Sequence, residues 1–168
     1  MYPDLSRVGT WFHPYINQVP ETDITAAFTN QDHQLIAFFN GIPPEKYDYR
    51  YAEGKWTLKE VLQHIIDAER IFTYRALRFS RKDPAPLHGF DENLYAENSK
   101  AGSRSWEGLV EEFTHVRKSS GLFFCSLDEE QLEAGGISSG SPIYVRALGY
   151  IVLGHALHHR NIIKERYL

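Results

Sequence analysis

Apolar residues recur at helical spacing along most of this chain. In the first such stretch they lie three, four or seven residues apart, at Ile24, Phe28, Leu35 and Phe38. One face of an α-helix produces this spacing. We therefore predict a first helix over residues 21–40, which ends at Gly41 and the two prolines that follow it.

The same pattern predicts three further helices. The second covers residues 57–81 and begins at Thr57, which forms a capping-box sequence with Glu60. The third covers residues 105–127, and the fourth runs from about Ser141 to the C-terminus.

The segments between these helices carry weaker patterns. Residues 1–20 place prolines among aromatic residues, which predicts an irregular arm packed on the body. Residues 82–103 are a polar connection with one short helical turn, and residues 135–142 form a glycine-rich loop or a short hairpin. No convincing longer strand is found. We predict an all-α fold, an antiparallel four-helix bundle, as one domain over residues 1–168 with its core at about 21–168.

Composition and charge limit the classes of function. The net charge of −4 does not favour a nucleic-acid partner, which would call for a basic patch. The longest apolar run, residues 149–157, is too short to span a bilayer, and the N-terminal residues lack the pattern of a secretory signal. Cys125 is the single cysteine, so no internal disulfide forms. We therefore expect a cytoplasmic protein without membrane association.

Two histidines stand on the apolar face of the predicted fourth helix. His155 and His159 are four residues apart, so their rings lie one turn above each other on one face. That face is otherwise apolar and contains Tyr144, Leu148, Ile151, Val152, Ile162 and Ile163. The pair is either two hydrogen-bonded core histidines or two ligands of a metal ion. A metal ion would need a third ligand from another helix.

The second helix offers that ligand. His64 lies at the edge of its apolar stripe, on the side that could meet the fourth helix. Asp67 lies one turn after His64 and Glu60 one turn before it. Either carboxylate could orient His64 or bind the ion, although surface charges are the alternative.

The other histidines fit simpler interpretations. His33 and His115 fall opposite the apolar faces of their helices, and His13 and His88 lie in predicted loops. His158 points away from the centre of the fourth helix's stripe.

Two charged residues fall in the middle of apolar stripes. Glu69 does so on the second helix and Arg117 on the third. Since unpaired buried charges are costly, we predict that these two side chains meet across the bundle. They form a structural ion pair, or one of them lines the metal pocket.

At this point the chain resembles a known family, the DinB-like (YfiT-like) proteins. The resemblance rests on GKWTLKEVLQHIIDAER at residues 54–70, YRALRF at 74–79, Val116 with Arg117, and GHALHHR at 154–160. It covers most of the chain, from about residue 25 onward, and the arrangement of three histidines is its specific part.

The resemblance implies an up-down-down-up bundle with His64, His155 and His159 as the ligands of one divalent metal ion. Zinc and nickel are the expected metals, with manganese and iron as alternatives. Asp67 matches a common acidic position, in a supporting role beside the ligands. Family members include metal-dependent hydrolases and S-transferases of low-molecular-weight thiols such as bacillithiol, and homodimers are common among them.

Two classes of function follow. The first is a metal-dependent enzyme acting on a small molecule, a hydrolase or a thiol S-transferase, because three protein ligands leave an open coordination position. Three arginines, Arg75, Arg78 and Arg146, could hold a carboxylate of a thiol cosubstrate. The second is a non-catalytic metal-binding or dimerisation module. An apolar strip on the back of the fourth helix, Tyr150, Leu153 and Leu157, would pack on the N-terminal arm or on a second subunit.

Overall fold

Four long helices, joined by shorter elements, make up about half of the computed structural model, which describes residues 1–168. The helices are α1 (His13–Ile16), α2 (Ile24–Asn40), α3 (Leu58–Ser80), α4 (Glu92–Asn98), α5 (Trp106–Cys125), α6 (Glu129–Glu133) and α7 (Val145–Arg166). A hairpin of β1 (Gly135–Ser138) and β2 (Ser141–Tyr144) precedes α7. No helix combines the length and the apolar character that a membrane span requires.

Side-chain caps fix the starts of α2, α3 and α5 close to the predicted positions. The Asp23 side chain accepts a hydrogen bond from the Ala26 amide, so α2 begins at Ile24. The capping box of Thr57 and Glu60 is present at the start of α3, as predicted. The predicted connection over residues 82–103 contains α4 and one 3₁₀ turn, which is more helix than the sequence indicated.

The predicted start of the fourth helix at Ser141 is wrong. Ser141–Tyr144 forms β2, which pairs in antiparallel register with Gly135–Ser138, and the short-hairpin alternative is confirmed. The backbone groups of these residues pair across the hairpin, so helix α7 begins only at Val145. At the tip, Ser139 and Gly140 have positive φ values of 53° and 78°, which is the backbone of a tight two-residue turn.

Contacts between the long helices give their relative directions. Phe39 meets Trp106 at one end of α2 and α5, and Phe28 stacks on Phe124 at the other, so these two helices are antiparallel. Similarly, α7 runs antiparallel to α3, because Tyr167 bonds to the Trp56 carbonyl while His155, earlier on α7, lies against Phe72. By contrast, α3 and α5 run in the same direction, since their hydrogen-bonded partners are Gln63 with Arg104 and Thr73 with Ser120.

The N-terminal arm is part of the packed interior. Val8, Ile16 and Val19 belong to the apolar core, and α1 packs on α7. The ring of Tyr2 lies edge-on to Tyr150, with 5.3 Å between the centroids. The apolar strip on the back of α7 is therefore covered by the arm, and Tyr150, Leu153 and Leu157 are all buried within the chain.

This packing depends on a glycine in α7. A Cβ atom on Gly154 would lie 1.9 Å from the carbonyl oxygen of Tyr15. We expect Gly154→Ala to push α1 off the bundle and to lower the free energy of unfolding by about 1–3 kcal/mol. Urea denaturation followed by circular dichroism measures this change. Gly102→Ala is the control, because a Cβ there meets nothing within 4 Å, and equal losses in both variants would contradict the expected contact.

Candidate metal centre

Three histidine side chains from two antiparallel helices converge in the bundle. The Nε2 atom of His155 lies 3.0 Å from that of His64 and 3.1 Å from that of His159. Each ring offers one ligand atom, and the three atoms lie within 4.8 Å of one another. The structure thus brings together the three histidines that the sequence singled out.

Aromatic side chains frame this cluster. The Trp56 ring lies 4.8 Å from the His64 ring, just before the capping box that starts α3. Tyr15 of the arm and Phe72 of α3 meet the His155 ring edge-on, with centroid distances of 5.4 and 5.9 Å. The rings are therefore held by packing on several sides, which restricts their rotation.

Burial keeps the three rings neutral. His64 and His155 are each only 6% exposed. Burial lowers the pKa of His64 to about 4. Burial, and then the neighbouring imidazoles, hold the pKa values of His155 and His159 well below the ordinary range. At neutral pH the rings are uncharged, which is the form that donates a lone pair to a metal ion.

This donor set fits a divalent metal ion. A tetrahedral zinc site with ordinary zinc–nitrogen bonds places its ligand nitrogens roughly 3.3 Å apart. Two of the three observed separations, at 3.0 and 3.1 Å, are close to that value, and the third is within 4.8 Å. Hydrogen bonds alone explain the cluster less well. The Nε2 of His155 faces two other nitrogens, but a neutral ring nitrogen carries either one proton or one lone pair.

Two clefts lead to the histidines. The first, of about 340 Å³, contains His64 and His155 in its wall together with Trp11, Phe12, Tyr15, Ala68, Phe72, Arg75, Gly89, Phe90, Glu92 and Ser139. The second, of about 230 Å³, reaches His159. Helix α4 contributes to both clefts, through Glu92 to the first and Asn93 to the second. An ion held by the three rings would therefore be reachable from outside.

A protein-family model and a solved structure both match this chain. The family model of the DinB superfamily matches residues 5–163. This chain belongs to the DinB superfamily. Its fold is similar to that of YfiT from Bacillus subtilis, described as a probable metal-dependent hydrolase with an unusual four-helix bundle topology. The TM-score is 0.74 and the identity 15%, over 98% of this chain and 90% of YfiT. Comparison with curated protein sequences gives no match.

The two carboxylates beside His64 have other partners in this DinB-superfamily protein. Asp67 Oδ1 accepts a hydrogen bond from Gln63 Nε2 at 2.9 Å. Glu60 closes the capping box by accepting from the Thr57 amide at 2.7 Å. Neither carboxylate is hydrogen-bonded to His64. The side chain that packs against the His64 ring is Trp56.

The remaining histidines lie outside the cluster. His33, His88 and His115 are exposed. His13 begins α1, and its Nε2 atom contacts the carbonyl oxygens of Leu5 and Val8, which ties the arm together. The half-buried His158 packs edge-on against Tyr15 and His159 without joining the three converging nitrogens.

The three candidate arginines lie in different surroundings. Arg75 is buried and lines the first cleft. Arg78 pairs with Asp83, and Arg146 pairs with Glu129 and Glu133, away from the histidines. Arg75 alone is therefore placed to meet a molecule in the cleft that leads to His64 and His155.

The predicted meeting of Glu69 and Arg117 is confirmed. Arg117 Nη2 lies 2.8 Å from Glu69 Oε2, and the two side chains are 0% and 2% exposed. Neither residue lines either of the clefts that reach the histidines. This position favours the structural interpretation of the pair.

Several cleft residues were not predicted from the sequence. Trp11, Phe12 and Tyr15 come from the arm, Phe90 from the connection before α4, Glu92 from the start of α4, and Ser139 from the hairpin tip. These segments lack the periodicity that identifies a buried face. The only local signal was the number of aromatic residues in the arm.

Proposed function

We propose that this protein is a divalent-metal-dependent enzyme that acts on a small molecule. His64, His155 and His159 would be the metal ligands, within an up-down-down-up bundle. One observation carries the proposal: three neutral imidazole nitrogens converge beside two clefts, one of which reaches His64 and His155 and the other His159. A structural metal site is normally closed by four protein ligands, whereas three ligands beside a cleft leave a position for a reactant.

The histidines and the aromatic residues around them would have different roles in such an enzyme. A bound divalent ion, zinc or nickel, or else manganese or iron, would supply Lewis acidity that makes a water molecule or a thiol more nucleophilic. The three histidines hold their lone pairs together without needing to lose protons first. Trp56, Tyr15 and Phe72 surround the rings with apolar surface and limit the access of bulk water.

Hydrolysis and thiol S-transfer are the two reactions that this site supports. Hydrolysis is favoured by the likeness in fold to YfiT, whose description is that of a probable metal-dependent hydrolase. Transfer to a low-molecular-weight thiol needs room for two reactants. The two clefts, one at His64 and His155 and the other at His159, offer that room.

An activity assay on metal-loaded protein tests this proposal. We expect protein loaded with zinc or nickel to accelerate either p-nitrophenyl acetate hydrolysis or the reaction of N-acetylcysteine with 1-chloro-2,4-dinitrobenzene. The acceleration should disappear on chelation and in His159→Ala. Protein that keeps its metal but accelerates neither reaction would contradict the enzyme proposal. It would favour the alternative, a non-catalytic metal-binding module.

The homodimer implied by the resemblance needs a surface other than the back of α7, which the arm covers. An apolar groove between α3 and α5, lined by Tyr74, Leu77, Val116 and Phe123, supports the dimer proposal. Light scattering at two protein concentrations tests it, and a monomer at both concentrations would remove it.

A further inference from the structure

Arg75 is a buried cation without an acidic partner. Its side chain on α3 is 3% exposed, and it lines the cleft that reaches His64 and His155. Every other buried arginine has a carboxylate within ion-pair distance: Arg117 has Glu69, and Arg146 has Glu129 and Glu133. A buried charge is normally paired, because its desolvation is otherwise uncompensated.

The protein satisfies only part of this guanidinium. Nη2 donates to the His88 carbonyl at 2.9 Å and to Ser139 Oγ at 3.3 Å. Nε and Nη1 have no hydrogen-bond partner in the protein, and neither atom is fully shielded from solvent. The rings of Phe72 and Phe90 lie 5.7 and 5.9 Å from Cζ and hold the group from the sides. Two N–H faces of a fixed guanidinium thus remain free for a ligand.

The hairpin tip holds Arg75 in this position at a conformational cost. Ser139 has a φ of 53°, a region that residues with a side chain rarely adopt. Its amide bonds to the Leu87 carbonyl at 2.9 Å, and its hydroxyl meets Arg75. The turn thus places the Ser139 hydroxyl against the Arg75 guanidinium.

We propose that Arg75 binds a carboxylate of the substrate and so determines its class. The inference rests on the proposed function, because the other end of the substrate would face the histidines. The Phe72 ring adjoins both positions, 5.9 Å from the His155 ring and 5.7 Å from Arg75 Cζ. The cleft walls include Trp11, Phe12, Phe72 and Phe90, so the substrate is a carboxylic acid with an apolar or aromatic body.

Glu92 is the one acidic residue in the wall of this cleft. It is exposed on α4, where solvent screens its charge. The unpaired Arg75 guanidinium lies deep in the cleft, and the Glu92 carboxylate lies at its rim. This arrangement of charges suits a monoanionic acid that enters with its carboxylate first. It suits a dianion less well, because Glu92 would repel the second negative charge.

A binding comparison between an acid and its neutral amide tests the inference. The probes are 4-phenylbutyrate and 4-phenylbutyramide, titrated calorimetrically into wild type, Arg75→Gln and Arg78→Gln, each with metal and after chelation. We expect wild type to prefer the acid by about tenfold or more, the scale of one charge-assisted hydrogen bond. Arg75→Gln should lose that preference. Arg78→Gln should keep it, because Arg78 borders only an outer groove that Arg75 also touches.

The possible outcomes separate this inference from the metal proposal. Equal affinity for acid and amide in wild type, or a preference that survives in Arg75→Gln, overturns the inference. A preference that vanishes on chelation places the carboxylate on the metal, which also overturns it but leaves the metal proposal intact. A preference that persists without metal supports Arg75 even if no metal is ever found. If Arg75→Gln fails to fold, Arg75→Met decides, because it keeps an apolar stem at this position and removes the charge, and a preference for the acid that survives in it overturns the inference.

Discussion

Replacement of His155 with alanine is expected to abolish metal binding at the proposed three-histidine site. His155 is the central member of the cluster, since its Nε2 lies 3.0 Å from His64 Nε2 and 3.1 Å from His159 Nε2. Removing a group behind the ligands of a metal site commonly costs 10–100-fold in metal affinity. Loss of a ligand should cost more than about a hundredfold. Metal analysis of purified protein should therefore find about one ion per wild-type chain and almost none in His155→Ala.

His158, which lies three residues after His155 and directly before His159, supplies a matched control. His158 is on the same helix turn and packs 5.2 Å from the His159 ring, but it is not one of the three converging residues. His158→Ala should therefore retain metal as wild type does. Circular dichroism should show that both variants are folded. Equal metal content in wild type and His155→Ala would refute the proposal of a three-histidine site.

How much of this centre could be predicted depends on how local each signal is. His155 and His159 share one helix face, so their four-residue spacing was enough to pair them. His64 lies ninety-one residues from His155, and helical phase placed it only at the edge of a stripe. The family resemblance supplied it as the third ligand, and the structure brings it beside the pair. Asp67 lay at the right spacing to support His64, but its side chain bonds to Gln63.

The fold shows the same division between local and long-range information. The caps at Asp23 and Thr57 involve partners only three residues further along the chain. The predicted starts of α2 and α3 were therefore close to correct. The segment Ser141–Tyr144 was predicted as helix because its apolar residues continue the stripe of α7. Its true partner is β1, and pairing between strands is not encoded in either strand alone. The cleft wall from the hairpin was missed for that reason, and the wall from the arm was missed because the arm lacks helical periodicity.

Breaking the buried ion pair between α3 and α5 is expected to cost more stability than removing both charges. In Arg117→Met, Glu69 remains 2% exposed without its cation. Such single removals cost about 3–5 kcal/mol, whereas apolar or neutral replacement of both partners is often close to neutral. Urea denaturation should therefore find a large loss in Arg117→Met. The double variant Glu69→Gln with Arg117→Met should recover most of it. Lys118→Met, an exposed neighbour on α5, should change little.

The pH dependence of that loss identifies its cause. Burial raises the pKa of the Glu69 carboxyl, and the Arg117 guanidinium acts in the opposite direction. Without Arg117 the folded-state pKa rises further, so the native state binds the proton more tightly than the unfolded chain does. Stability of Arg117→Met should then fall as pH rises above about 4.3, the ordinary value for glutamate, and the deficit should shrink in acid. A deficit that does not depend on pH would mean lost packing rather than a stranded carboxylate.

Metal content of the double variant separates a structural pair from a functional one. Both side chains are buried away from the two clefts, although the Arg117 charge helps to lower the pKa of His155. If the pair only joins α3 to α5, the folded double variant should retain as much metal as wild type. Loss of metal in a double variant that denatures at the wild-type urea concentration would show that Glu69 and Arg117 support the histidines.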